Sequence, residues 1–111
     1  MTFTSVLAQS TVTDLDRAQQ WYVALFGRDP DDRPMDGLLE WHVSDAAGVQ
    51  VWREPGRSGR STVVLAADDL DAVAASLTAA GIAHDGPERG GGSRVLRLSD
   101  PDGNRVVLTG A

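Results

Sequence analysis

Few side chains in this sequence could carry out acid–base or metal chemistry. The chain has no cysteine, which excludes disulfides, thiolate metal sites and cysteine nucleophiles. Its two histidines are His42 and His84. His42 stands two residues after Glu40, and alternate residues of a strand share one face, so the carboxylate could tune the imidazole as a general base. His84 precedes an Asp-Gly-Pro turn signal and is interpreted as a loop residue.

Charge and motif content exclude several classes of function. The formal net charge is −6, and all ten basic residues are arginine. An acidic chain is a poor candidate for binding the phosphate backbone of nucleic acids, whereas cationic ligands would suit it. The sequence holds no nucleophile elbow, phosphate loop or dinucleotide fingerprint.

The hydropathy pattern indicates a protein that is not inserted in a membrane. No apolar run approaches the roughly 18 residues that a spanning helix requires. The N-terminal residues lack a basic stretch followed by a long apolar run, so no signal peptide is expected and the cytoplasm is the expected compartment. A chain of 111 residues can bury only a modest core, which favours a homodimer.

An internal repeat defines the architecture. Residues 12–16 (Val-Thr-Asp-Leu-Asp) recur in related form at residues 67–71 (Ala-Asp-Asp-Leu-Asp). Each copy follows a β-like run and precedes a helical run that ends at a glycine, Gly27 or Gly81. The repeat predicts one α+β domain over residues 1–111, made of tandem βαβββ modules of about residues 1–55 and 56–111.

The local patterns give approximate element boundaries. Helices are predicted over 15–26 and 70–80, with Asp14 and Asp69 as N-caps. Strands are predicted over 4–13, 38–44, 49–53, 62–67, 94–99 and 105–109, with a further short strand over 82–85. Residues 28–37 are interpreted as irregular with a short edge strand, residues 45–48 and 100–104 as turns, and residues 90–92 as a hairpin tip.

Three segments in this order resemble the vicinal oxygen chelate superfamily, which includes glyoxalase I, extradiol dioxygenases and bleomycin-binding proteins. The first runs from Val12 to Ala18 and continues through Trp21-Tyr22 and Leu25-Phe26-Gly27. The second is Asp68–Val73 with Ala79-Ala80-Gly81, and the third is Asp100–Arg105. The resemblance implies two mixed sheets that form a cup, with the helices on the outer face.

The resemblance also implies where a metal would be held in the metal-dependent members. By motif spacing those positions fall on Leu7, Thr62, Val107 and either Gln50 or Trp52. None supplies an imidazole or a carboxylate, and leucine and valine cannot ligate a metal. We therefore expect neither a metal site nor a cofactor.

Strand alternation then assigns residues to the cup. For strand 38–44 the choice of face stays open between Glu40 with His42 and Trp41 with its alternating neighbours. Arg97 is expected to point into the cup. The predicted ligand-lining set is Leu7, Gln9, Trp41, Gln50, Trp52, Thr62, Val64, Arg97 and Val107, and the candidates for acid–base work are His42, Glu40 and Arg97.

These residues favour a metal-independent protein that binds an aromatic or cationic small molecule in the cup. A metal-free isomerase or cyclase of the same fold and an interaction module with a filled cup remain alternatives. A metal-dependent lyase or dioxygenase is disfavoured because of the missing ligands. The identity of the ligand, the existence of catalysis and an exchange of halves between subunits stay open.

Overall fold

A computed structural model describes residues 2–111, which form two helices and eight strands. The helices are α1 (Leu15–Phe26) and α2 (Leu70–Ala79). The strands are β1 (Val6–Val12), β2 (Asp32–Met35), β3 (Leu38–Ser44), β4 (Ala47–Arg53), β5 (Thr62–Ala66), β6 (Glu88–Gly90), β7 (Ser93–Ser99) and β8 (Arg105–Gly110). A short 3-10 turn, Pro55–Arg57, lies between β4 and β5.

Both helices begin at the aspartates expected as caps. The Asp14 carboxylate accepts from the backbone N–H of Arg17 at 3.2 Å, and that of Asp69 accepts from the N–H of Ala72 at 3.0 Å. These bonds satisfy backbone donors that have no partner inside the helix. Gly27 ends α1 with a φ of 72°, a left-handed conformation that glycine adopts without steric cost.

The two halves repeat one strand order. The first sheet has the order β1-β4-β3-β2 and the second β5-β8-β7-β6. In each sheet the strand before the helix pairs in parallel with the last strand of its half, and the other pairs are antiparallel. The tandem βαβββ arrangement and the α+β class are therefore as predicted.

The hydrophobic core lies between each helix and its sheet. Buried side chains of both halves join in one cluster that includes Val12, Tyr22, Trp41, Leu70 and Leu96. In the part of the chain that the structure describes, no helix is long and apolar enough to cross a membrane.

A buried polar network joins the two halves. The Asn104 side chain donates to the Thr11 carbonyl at 2.7 Å and to the Asp100 carboxylate at 2.8 Å, and it accepts from the N–H of Ser61 at 2.9 Å. Tyr22 on α1 donates its hydroxyl to the same Asp100 carboxylate at 2.8 Å. The 100–104 turn thus holds the end of β1 against the start of β5.

Three boundary predictions are wrong. Residues 82–85 form no strand, because the His84 ring bonds to Thr78 and to the Ala74 carbonyl on α2; β6 comes later, at Glu88–Gly90. Gly90 belongs to that strand, which leaves only Gly91 and Gly92 at the hairpin tip. Residues 47 and 48 belong to β4 instead of the turn, because they pair with β1.

Candidate functional site

The side of the first sheet that faces away from α1, here called the first open face, carries three cross-strand rows. Directly paired residues of neighbouring strands lie side by side on one face. The rows are Thr11-Trp52-Leu38, then Gln9-Gln50-Glu40-Asp32, then Leu7-Gly48-His42. Strand pairing therefore brings together the candidates that the sequence offered from separate segments of the first half.

The middle row is a chain of hydrogen bonds. Gln9 donates its side-chain N–H to the Gln50 amide oxygen at 3.0 Å, and Gln50 donates to a Glu40 oxygen, Oε2, at 2.8 Å. The other Glu40 oxygen, Oε1, lies 2.8 Å from His42 Nε2. Both oxygens of this carboxylate are thus fixed by protein donors.

The row is acidic and stays so at neutral pH. The hydrogen bond from Gln50, followed by the one from His42, lowers the pKa of Glu40 below its ordinary value. The backbone N–H of His42 donates to Asp31 at 2.6 Å and, together with Arg28, lowers the pKa of that carboxyl group. Arg28 also donates to the His42 carbonyl oxygen, which anchors this end of β3.

A tightly packed glycine and a groove lie at the end of the row. A side chain at Gly48 would lie 2.6 Å from the Trp41 carbonyl oxygen and 2.8 Å from Leu7 Cδ2, so only glycine fits between Leu7 and His42. A groove of about 450 Å³ forms there. Its lining residues are Ser5, Leu7, Glu40, His42, Val43, Ser44, Asp45 and Ala47.

The remaining candidates lie on the second sheet, on the side away from α2. In the register of β5, β8 and β7, Thr62 pairs with Arg105, Val64 with Val107, and Val107 with Arg97. Arg97 forms an ion pair with Glu88 at 3.2 Å. Among residues 2–111, no side-chain hydrogen bond or ion pair joins Leu7, Gln9, Gln50 or Trp52 to Thr62, Val64, Arg97 or Val107. One copy of the chain therefore carries the predicted site residues on two different sheets.

Trp41 is not on the open face, so its predicted place in the cup is wrong. Its side chain is fully buried on the α1 side, with its ring 5.3 Å from Phe26 and 5.9 Å from Tyr22. Its indole N–H donates to the Arg28 carbonyl at 3.0 Å. The helix decides the face of β3, because Trp41 fills the space beneath α1 and this turns Glu40 and His42 outwards.

The residues at the superfamily's ligand positions do not fit a metal. Leu7 and Val107 have no donor atom, and the Gln50 amide oxygen already accepts from Gln9. Within the described chain, no group of three or more His, Asp or Glu side chains is arranged to hold a metal ion.

Two contributors to the first open face were missed from the sequence. Asp32 extends the polar row, and Gly48 leaves room for the Leu7 side chain between the strands. The sequence holds no clear signal for Gly48, because residues 45–48 are typical of a turn and only the pairing of β4 with β1 places this glycine inside a strand, where glycine marks close approach. Asp32 lies in the Asp- and Pro-rich segment where only an edge strand of undefined extent was expected.

Comparison with known proteins assigns the family. Residues 6–109 match the model of the glyoxalase-like domain. A crystal structure of an antibiotic-binding protein from Streptomyces sp. CB03234 is 30% identical, with a TM-score of 0.80 over 99% of this chain and 98% of that one. A glyoxalase/bleomycin resistance protein from Catenulispora acidiphila DSM 44928 is 25% identical, with a TM-score of 0.89 over 96% and 97%.

A bleomycin-binding protein solved with bleomycin shares the fold, with 21% identity and a TM-score of 0.81 over 96% of this chain and 98% of that one. No curated protein matches the chain. The family model covers both halves, including the segments that carried the resemblance. The chain belongs to the glyoxalase-like domain family, within the vicinal oxygen chelate superfamily.

Proposed function

We propose that this protein binds an aromatic or cationic small molecule, without a metal, on the first open face. The single observation that carries the proposal is the hydrogen-bonded chain Gln9-Gln50-Glu40-His42, whose side chains are held in place beside Trp52 and Leu7. Pockets for small molecules combine apolar or aromatic walls with a few fixed polar groups. The antibiotic-binding relative supports a binding role of this kind.

We further propose that a second copy of the chain completes the site. The second sheet offers Thr62, Val64, Arg97 and Val107 on its own open face, whereas the first group lies on the other sheet. Val64 is 61% exposed and Leu7 41% exposed, although both are apolar. Placing one face over the other would bury these side chains and enclose a ligand between them.

Fluorescence titration tests the binding proposal. The wild type and Trp52→Ala are titrated with a panel of planar and cationic compounds, including bleomycin, with Trp21→Phe as the control because Trp21 packs on Tyr22 at 4.8 Å on α1. We expect at least one compound to change the emission of the wild type and of Trp21→Phe, and to lose about tenfold or more in affinity with Trp52→Ala.

The proposal fails if Trp52→Ala binds every compound as tightly as the wild type does.

Titrations repeated after exhaustive chelation test whether binding requires a metal. Unchanged affinity is expected, because the positions where relatives hold a metal are occupied by Leu7, Thr62 and Val107. Stoichiometric metal in the purified protein, with binding lost on chelation, would contradict metal independence.

A metal-free isomerase or cyclase is the second candidate function. It is favoured by the 2.8 Å contact between His42 Nε2 and Glu40, because a carboxylate-paired imidazole can act as a general base. Mass and NMR spectra of each compound recovered after incubation separate the two functions. A rearranged product that Glu40→Gln no longer forms would favour the enzyme, and recovery of the unchanged compound favours binding.

A further inference from the structure

The linker between the two halves crosses the end of β1. It runs over residues 54–61, from the end of β4 at Arg53 to the start of β5 at Thr62. β1 pairs with β4 on one edge and lies near β5 on the other, so the linker passes from one side of β1 to the other. A chain of two similar halves can keep both in one molecule or exchange one with a second copy. The contacts of the linker favour one of these arrangements.

The first part of the linker is hydrogen-bonded to its own β1. The N–H of Glu54 donates to the Val12 carbonyl at 3.0 Å, directly after the end of β4. The Arg57 carbonyl, at the end of the short 3-10 turn, accepts from the Thr11 hydroxyl at 2.7 Å. Because the Thr11 side chain is buried, this bond has little competition from water.

The second part of the linker contacts both halves. The hydroxyls of Ser58 and Thr13 are hydrogen-bonded at 2.9 Å, and the Gly59 N–H donates to the Thr11 carbonyl at 3.4 Å. Gly59 has a φ of 80°, and a Cβ at this position would lie 2.5 Å from the Asp102 carbonyl oxygen. Glycine therefore lets the linker fit tightly against the 100–104 turn of the second half.

An exchange of halves would break the middle of this arrangement. The start of the linker would stay on its own β1, whereas Ser61, whose hydroxyl accepts from the Thr11 N–H at 3.2 Å, would lie on the β1 of the second copy. The segment between them would have to cross from one copy to the other and would lose the bonds of residues 57–59 to its own strand. Each such bond favours the unexchanged form by about 2- to 10-fold.

We propose that the linker, residues 54–61, is a clasp that keeps both halves of one chain in the same molecule. Copies of the chain then associate only through their surfaces. Residues that a second copy adds to the first open face therefore come through surface contact and not through an exchanged half. The clasp is independent of what the open face binds, because its contacts lie at the junction of the halves.

Isotope-filtered NMR of the full-length wild type tests the clasp without any substitution. Isotope-labelled and unlabelled chains are mixed in equal amounts, unfolded in urea and refolded together. Tyr22, the only tyrosine, and Asn104 both donate to the Asp100 carboxylate, so their protons report contact between the halves. We expect their NOE within one chain only. An NOE between labelled and unlabelled chains above about a tenth of the intrachain intensity would overturn the clasp.

Two glycine variants test whether the linker is the cause. Gly59→Ala should raise the exchanged fraction about tenfold or more, because its Cβ would meet the Asp102 carbonyl oxygen and alanine rarely adopts this φ. Gly56→Ala is the matched control in the same linker, since a Cβ there has no neighbour within 4 Å, and it should behave as the wild type does. Ser58→Ala removes the bond to Thr13 and should raise the exchanged fraction by about 2- to 10-fold.

A folded Gly59→Ala variant with no more exchange than the wild type would show that the linker does not hold the halves. Equal exchange in Gly56→Ala and Gly59→Ala would contradict the clasp as well, because the contact with Asp102 would then not be the cause. If Gly59→Ala does not fold, Ser58→Ala decides the role of the linker: a rise in exchange supports the clasp, and no rise overturns it.

Discussion

Tyr22 shows how one side chain depends on both halves of the chain. It is the only tyrosine, its side chain is buried beneath α1, and its hydroxyl donates to Asp100 in the last turn of the second half. Burial, with the nearby charge of Asp100, raises the pKa of Tyr22 far above its ordinary value. The neutral form is therefore the one that the folded protein requires.

This requirement predicts a loss of stability at alkaline pH. An unfolded tyrosine ionises near pH 10, whereas the folded one stays protonated, so stability is full below that pH and declines as pH rises through it. The slope should be about 1.4 kcal/mol per pH unit. The chain contains no lysine and no cysteine, so few other groups titrate there. Urea unfolding between about pH 8 and 11.5 measures the decline, and Tyr22→Phe should abolish it; an equal decline in that variant would contradict the assignment.

His42 and Trp41 are neighbours whose roles the sequence left open. Their alternation placed them on opposite faces of one strand, but both faces carried residues suited to a core or to a ligand. Packing decides the choice, because Trp41 is stacked with Phe26 and bonded to the Arg28 carbonyl. The space available beneath a helix is a tertiary property. The alternation of residues along the strand therefore could not predict which face packs against α1.

At the scale of elements, the 100–104 turn connects segments that are distant in sequence. The pattern Asp-Pro-Asp-Gly-Asn predicts a turn, and the structure confirms it. Its further role became visible only in the fold: Asn104 is fully buried and bonds to the end of β1 and to the residue before β5. The turn is therefore a connection between the modules as well as a hairpin.

Asn104→Ala should destabilise the protein strongly. It leaves the buried Thr11 carbonyl and the half-buried Ser61 N–H without these partners, at about 1–3 kcal/mol for each group. We expect a total loss of about 2–6 kcal/mol in the free energy of unfolding, measured with urea. Asp29→Ala, at an exposed position after α1, is the control and should change it by no more than about 0.5 kcal/mol. A loss for Asn104→Ala as small as that of the control would show that the network does not hold the halves together.

At the scale of the whole molecule, apolar side chains are left uncovered around the two edge strands β1 and β5. Val6, Val43 and Val64 are 73%, 50% and 61% exposed, and all three line an apolar groove of about 700 Å³ between the halves. Phe3 precedes β1 and is 81% exposed. A large uncovered apolar patch is typical of an interaction surface, and the proposed second copy would bury part of it.

We therefore expect a dimer in solution and a monomer, or a much weaker dimer, for Val64→Asp. The substituted carboxylate would have to be buried without a partner at the interface. Light scattering coupled to size-exclusion chromatography measures the mass of each. Ala75→Asp adds the same charge at an exposed position of α2 and should leave the dimer intact. A monomeric wild type over the accessible concentration range would contradict the dimer and the shared site.

The sequence by itself determined the repeat, the two capped helices, most strand positions and the absence of the superfamily's metal ligands at their motif positions. These are local or periodic properties, set by caps, turn residues and alternation. The tertiary structure decided which face of β3 points outwards, how closely Gly48 packs against Leu7 and the Trp41 carbonyl, and how Gln9, Gln50, Glu40 and His42 join through hydrogen bonds. Strand register and helix packing bring together residues up to 41 positions apart, and spacing along the chain does not encode those distances. His42 and Glu40 share a face of β3, and β4 adds Gln50 as the second hydrogen-bond partner of Glu40.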